Sequence, residues 1–154
     1  MNLFLNFLDL VAGIIVVFIW IYSLKNFSKL PEKIPTHFDP DNQPDAFGNK
    51  KWIFMYGVLG VLFFVGFQFA LKDPEGFNYP VEITEENKNR QFTIALIALR
   101  VLLVLVLLVF LNLLDFSVRK SLNENAKPVA TFATVLLTIL LTVGIMIAVA
   151  SKVN

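Results

Sequence analysis

Four long blocks of apolar residues alternate with polar connections along the chain. The first runs from about Leu3 to Leu24, the second from Trp52 to Leu71, the third from Phe92 to about Leu114 and the fourth from Val129 to Ala150. A helix needs about 20 apolar residues to cross the ~30 Å hydrocarbon core of a bilayer. All four blocks reach that length, and they are apolar all round rather than along one stripe. The pattern predicts an all-α integral membrane protein. Its architecture is a four-transmembrane-helix bundle, read as one domain over 1–154, with helices at about 3–24, 52–71, 92–115 and 129–150. Four crossings put both termini on one side, side A, with the 72–91 connection. The 25–51 and 116–128 connections lie on side B.

The polar interruptions of the blocks are informative. Asp9 lies in the first third of block one, Gln68 near the end of block two and Arg100 inside block three. Counted from side A the three share a depth. A charge in mid-bilayer costs roughly 2.5–3.5 kcal/mol on insertion scales. Two arrangements relieve that cost: an Asp9–Arg100 pair with Gln68 beside it, or an Arg100 that snorkels to the headgroups with Asp9 in the interface. Elsewhere Gly66 and Ala70, then Gly144 and Ala148, form small-x-x-x-small pairs expected to pack against neighbouring helices. The threonines at 131, 134, 138 and 142 are expected on the same kind of face. Block three, with no small residue from Val101 to Leu111, is expected to face lipid more widely. Thr84 is expected to cap it, with Glu85 and Glu86 in its first turn.

Composition narrows the function classes. The chain has 154 residues, 56% hydrophobic and 16% charged, against roughly 25% charged in soluble domains. A net charge of +1 offers no field for nucleic acid, and none is expected as a partner. Zero cysteines and one histidine leave no thiolate chemistry and no multi-histidine metal centre. No nucleophile–base motif, phosphate loop or HExxH occurs, so the expectation is a non-enzyme without a cofactor.

Orientation reads two ways. Side B carries eight Lys and Arg against four on side A. That count favours side B as cytoplasmic. Trp20, Tyr22, Trp52 and Tyr56 frame the first connection at the headgroup layer on that side.

That connection, Leu30 to Trp52, holds four of the seven prolines. Proline fixes φ and removes a donor, so the segment is expected to be extended, stiff and ordered, with Leu30, Ile34, Phe38 and Phe47 available to tuck it onto the helix ends. Three carboxylates and His37 fall within nine residues. His37, Asp39 and Asp41 are weak candidates for a hard cation, but Lys50 stands where a calcium loop needs its last glutamate. The alternative is that Asp39 and Asp45 accept turn hydrogen bonds and His37 ties the loop to a helix end.

The run Leu-Pro-x-x-Ile-Pro-x-His-Phe (Leu30, Pro31, Ile34, Pro35, His37, Phe38), followed by an acidic turn and Pro-Asp-x-Phe-Gly-x-Lys (Asp45, Lys50), resembles a known family. It is similar to the domain of unknown function at the N-terminus of SdpI-type bacterial immunity proteins. The 77–87 connection is similar to stand-alone members, and the C-terminal domain of SdpI-type proteins is not recognised in these 154 residues. Asn42 stands where the family turn usually has glycine, and asparagine tolerates a left-handed conformation. The resemblance implies a bacterial inner-membrane protein that resists or senses a secreted membrane-active peptide and relays its presence to a regulator. It also implies an outward-facing first loop, against the lysine count, and a pairing of Asp45 with Lys50. Besides the bilayer, the partners expected are a peptide toxin, a regulator or other membrane subunits. Two further readings are an accessory subunit of a larger membrane complex, docking through block three, and a small ion-coupled transporter using Asp9 and Arg100.

Overall fold

The computed structural model describes residues 2–152; Met1, Val153 and Asn154, part of the 1–154 domain expectation, lie outside the described residues. The fold is mostly helical (70%), and among the described residues four helices are long and apolar enough to span a membrane. The spans are Leu3–Phe27, Lys50–Ala70, Lys88–Leu122 and Phe132–Lys152, built on the α-helices α1 (Asn2–Phe27), α2 (Met55–Ala70), α3 (Lys88–Leu122) and α4 (Phe132–Lys152). Between α1 and α2 the chain forms a β-hairpin, β1 (Lys33–Phe38) and β2 (Pro44–Asn49), then a 3-10 turn at Lys50–Phe54 that leads into α2. A second 3-10 turn, Pro74–Gly76, begins the connection to α3.

The core lies between α1 and α3, flanked by α2. Leu103 and Leu107 of α3 are fully buried, against Ala12 and Val16 of α1. Leu103 and Leu107 turn into the core, while the other residues of 101–111 stay partly or fully exposed, so block three is open on one side only. Its leucines need no small residue of their own, because the opposing helices supply the space: a Cβ on Gly60 would lie 3.6 Å from Leu107. Small residues on one helix and branched ones on the other give the close contact that association in lipid requires. The open helix is instead α4, whose most apolar window has no buried residue. Gly66 and Gly144, expected in contacts, have nothing within 4 Å of a built Cβ. The threonines of α4 serve their own helix. Thr131 Oγ1 accepts from the Thr134 N–H at 3.3 Å as an N-terminal cap, while Thr138 and Thr142 donate one turn back at 2.8 Å.

With 35 residues α3 is the longest element, about 52 Å at 1.5 Å per residue. Beyond its apolar block it adds four residues at side A, Lys88–Gln91, and a longer stretch at side B, from Asp115 to Leu122, and does not include the expected turns at Glu85 and Glu86. Those two residues precede the helix. Thr84 and Asn87 exchange bonds instead: the Thr84 N–H donates to Asn87 Oδ1 at 2.9 Å, and the Asn87 N–H to Thr84 Oγ1 at 3.3 Å. This reciprocal turn leads directly into Lys88.

Candidate functional site

The hairpin is built from the motif residues. Its pairing is antiparallel, from Lys33 opposite Asn49 to Phe38 opposite Pro44, with irregularities around His37. Asp39 closes the turn: its Oδ1 accepts the Gln43 N–H at 2.7 Å and its carbonyl accepts the Asn42 N–H at 2.9 Å. Asn42 takes φ 61°, the left-handed conformation that asparagine tolerates. At the base, the Asn49 side chain accepts the Lys51 N–H at 2.9 Å and starts the 3-10 turn. Gly48 is required there, because a Cβ would meet Trp52 at 2.9 Å and Thr36 at 3.0 Å.

One face of this hairpin is buried on the side-B extension of α3. Leu30 and Ile34 are buried in a cluster with Ile19, Ile53, Leu114 and Val118. The Phe38 and Phe116 rings lie 4.3 Å apart. The buried Ser117 hydroxyl donates to the carbonyl of buried Pro35 at 2.6 Å. Proline has no N–H to give to a sheet, yet its carbonyl still accepts, and that bond joins strand to helix. Pro31 is exposed. Phe47 is also exposed, at 61%, and does not tuck in as expected, because it stands on β2 away from α3.

The polar motif residues pair differently from the expectation. Lys50 bonds Glu32 at 2.9 Å, not Asp45, and its ammonium sits 5.2 Å from the Phe27 ring. Asp45 bonds His37 Nδ1 at 2.6 Å across the hairpin. His37 therefore braces the two strands rather than tying the loop to a helix end. Among the described residues no group of three or more His, Asp or Glu gathers to hold a metal ion. Asp39 is engaged in the turn, and Asp41 is exposed nearby.

Inside the bundle, Asp9, Gln68 and Arg100 come together. Arg100 Nε donates to Asp9 Oδ1 at 3.0 Å and Oδ2 at 3.1 Å, and Gln68 Nε2 donates to Oδ1 at 3.1 Å. Arg100 Nη1 donates to the Leu96 carbonyl at 3.1 Å. Of the two arrangements open to Arg100, the ion pair is the one formed. It binds α1 to α3, with α2 joining through Gln68.

A second polar clasp, which the sequence reading missed, joins the same two helices at side B. The Tyr22 hydroxyl donates to Asp115 Oδ1 at 2.8 Å, and Arg119 bonds Asp115 Oδ2 at 2.7 Å from Nε. Arg119 Nη1 then donates to the Lys127 carbonyl at 2.8 Å in the next connection. The signal was present: Asp115 and Arg119 stand four apart, on one helix face, at the depth of Tyr22. Asn112 was missed as well. Its amide accepts from the Ala130 N–H at 3.1 Å and donates to the Ala130 carbonyl at 3.0 Å, pinning the approach to α4.

A helical fold with four membrane-length spans and a hairpin docked on the longest defines the class. Residues 14–61 match the model of a family described as a domain of unknown function (DUF1648). The match takes in the end of α1, the whole hairpin and the start of α2. An uncharacterized protein of Archaeoglobus fulgidus is 41% identical over 44 residues, 29% of this chain and 22% of that protein. The similarity thus spans about a fifth of that relative's length. No solved structure matches.

Proposed function

We propose that this chain is a multi-pass protein of a prokaryotic cytoplasmic membrane that senses or resists a membrane-active peptide through its 30–52 hairpin, in the manner of the SdpI-type proteins it resembles. The observation that carries this reading is the two-sided hairpin. One face is locked on α3 through Leu30, Ile34 and Ser117, while Phe47 and Trp52 remain 61% and 53% exposed. A fixed platform with two open aromatics at the membrane surface suits an amphipathic peptide. Aromatic side chains supply large contact area at small entropic cost.

This role needs the hairpin outside. A cysteine replacing the exposed Asp41 reports it, because the chain has no cysteine of its own. Asn42 is the poorer choice, since φ 61° suits few side chains. Labelling by an impermeant maleimide in intact cells is expected. Given that, cells expressing the chain should survive an amphipathic peptide better than cells lacking it, and Phe47→Ala with Trp52→Ala should remove the advantage. A hairpin labelled only after lysis, or equal survival of all strains over a peptide panel, overturns the proposal.

A second reading, an accessory subunit of a larger complex, gains from the exposure of α4 rather than from α3. Its mark is a stoichiometric partner in mild detergent that crosslinks to α4. No observation favours the transporter reading: the fully buried side chains between the clasps at Asp9 and at Tyr22, Ile19, Leu103 and Leu107, are apolar.

A further inference from the structure

On side A a cavity of about 500 Å³ opens between α2, α3 and α4, within the range of roughly 300–1,000 Å³ typical of small-molecule sites. Small residues from every wall create it: Ala70 on α2, Ala95 and Ala98 on α3, Ala150 on α4 and Gly76 in the connection above. Larger walls are hydrocarbon and aromatic, including Phe67, Leu99 and Met146. At one wall the buried Gln91 donates from Nε2 to the Ala150 carbonyl at 2.9 Å, tying α3 to the last turn of α4.

The roof is held in place. Tyr79 stacks on Phe92 with ring centroids 5.6 Å apart, and its hydroxyl donates to the Pro74 carbonyl at 2.7 Å. Glu75 bonds Lys88 at 2.9 Å, and the Lys88 ammonium lies 5.5 Å from the Phe92 ring. The cavity is therefore a formed site under an ordered connection, and differs from a bare helix face.

We infer that this cavity receives one acyl chain of a zwitterionic phospholipid from the leaflet at side A. A hydrocarbon occupant follows from the walls and from the spanning helices that form them. The headgroup follows from the charges above. Over residues 72–90 and the end of α4, five carboxylates (Asp73, Glu75, Glu82, Glu85, Glu86) stand against four cations (Lys72, Lys88, Arg90, Lys152). That small acidic excess disfavours a net anion such as a fatty-acid carboxylate or a phosphatidylglycerol relative to phosphatidylethanolamine, whose ammonium offsets its phosphate.

The test is photolabelling of the full chain in phosphatidylcholine vesicles doped with phosphatidylethanolamine carrying a diazirine at mid-chain, with adducts mapped by peptide mass spectrometry. Labelling at Ile94–Leu99 is expected about tenfold above that of the open α4 stretch Leu136–Leu141. Ala98→Phe should abolish the excess, while Val65→Phe, at an exposed position outside the cavity, should leave it. Equal labelling of all outward helix faces overturns the inference, and so does an excess untouched by Ala98→Phe. Should that variant not fold, Ala95→Val and the wild-type map decide. The same diazirine on a free fatty acid and on phosphatidylglycerol separates the sources. Anionic probes that label as well as phosphatidylethanolamine overturn the zwitterionic assignment.

Discussion

Arg100 grips both carboxylate oxygens of Asp9, at 3.0 and 3.1 Å, across the contact between α1 and α3. The two side chains are only 12% and 24% exposed, so each depends largely on the other. Removing one partner strands the second, a loss of about 3–5 kcal/mol for buried pairs, whereas replacing both by apolar groups is often near neutral. Arg100→Leu alone should therefore lower the melting temperature in detergent well below that of Arg100→Leu with Asp9→Leu. Additive losses in this cycle would mean that the contact contributes nothing as a pair.

Trp20 lies against Gly57. A Cβ there would sit 2.7 Å from the indole Cε2, inside any van der Waals contact, and the indole also packs 6.0 Å from the Phe54 ring. Gly57→Ala should cost about 1–3 kcal/mol through overpacking. Gly60→Ala, with 3.6 Å of room, and Gly66→Ala, in open space, should be neutral or stabilising, since alanine favours a helix over glycine by about 1 kcal/mol. Thermal melts of the three variants check this order. A harmless Gly57→Ala would place Trp20 elsewhere.

Much of this structure was legible in the sequence because its physics is one-dimensional. The number of spans follows from apolar length, and equal depth singles out Asp9, Gln68 and Arg100, though it leaves the ion pair and a snorkelling Arg100 both open. The same depth argument applied at side B reaches Tyr22 and Asp115, but Asp115 reads as the end of a block rather than as part of a continuing helix. Packing faces were less legible. Gly66 and Gly144 fit a contact motif, yet whether a small residue is contacted depends on which face its helix turns inward. The hairpin needed long-range information too. Proline content implies extended backbone, but its pairing into a hairpin and the exchange of partners, Glu32 for Lys50 and His37 for Asp45, depend on the strand register.

Ser117 and Pro35 join the hairpin to α3 through one buried bond of 2.6 Å. Ser117→Ala leaves the Pro35 carbonyl without its partner, at about 1–3 kcal/mol. The loss falls on hairpin docking more than on the helices. Hydrogen exchange should quicken in residues 33–49 while α1 and the middle of α3 keep their protection. Uniform acceleration across the chain would show instead that Ser117 supports the whole bundle.

The roof of the side-A cavity carries a titratable latch. The Lys88 ammonium beside Glu75 holds that carboxyl below the ordinary carboxylate range, first through the hydrogen bond and then through charge. A carboxyl depressed in the folded state contributes its stabilisation above the pKa it has unfolded. It loses that contribution as pH falls through the lower, folded value. The latch is therefore intact at neutral pH and opens only in acid. Lys88→Met removes both causes, so the Glu75 midpoint should rise to the ordinary range when the carboxyl carbon is followed by NMR. In the wild type, Phe77 and Tyr79 should shift in step with the same titration. A Glu75 midpoint unchanged by Lys88→Met would mean that the two side chains do not meet.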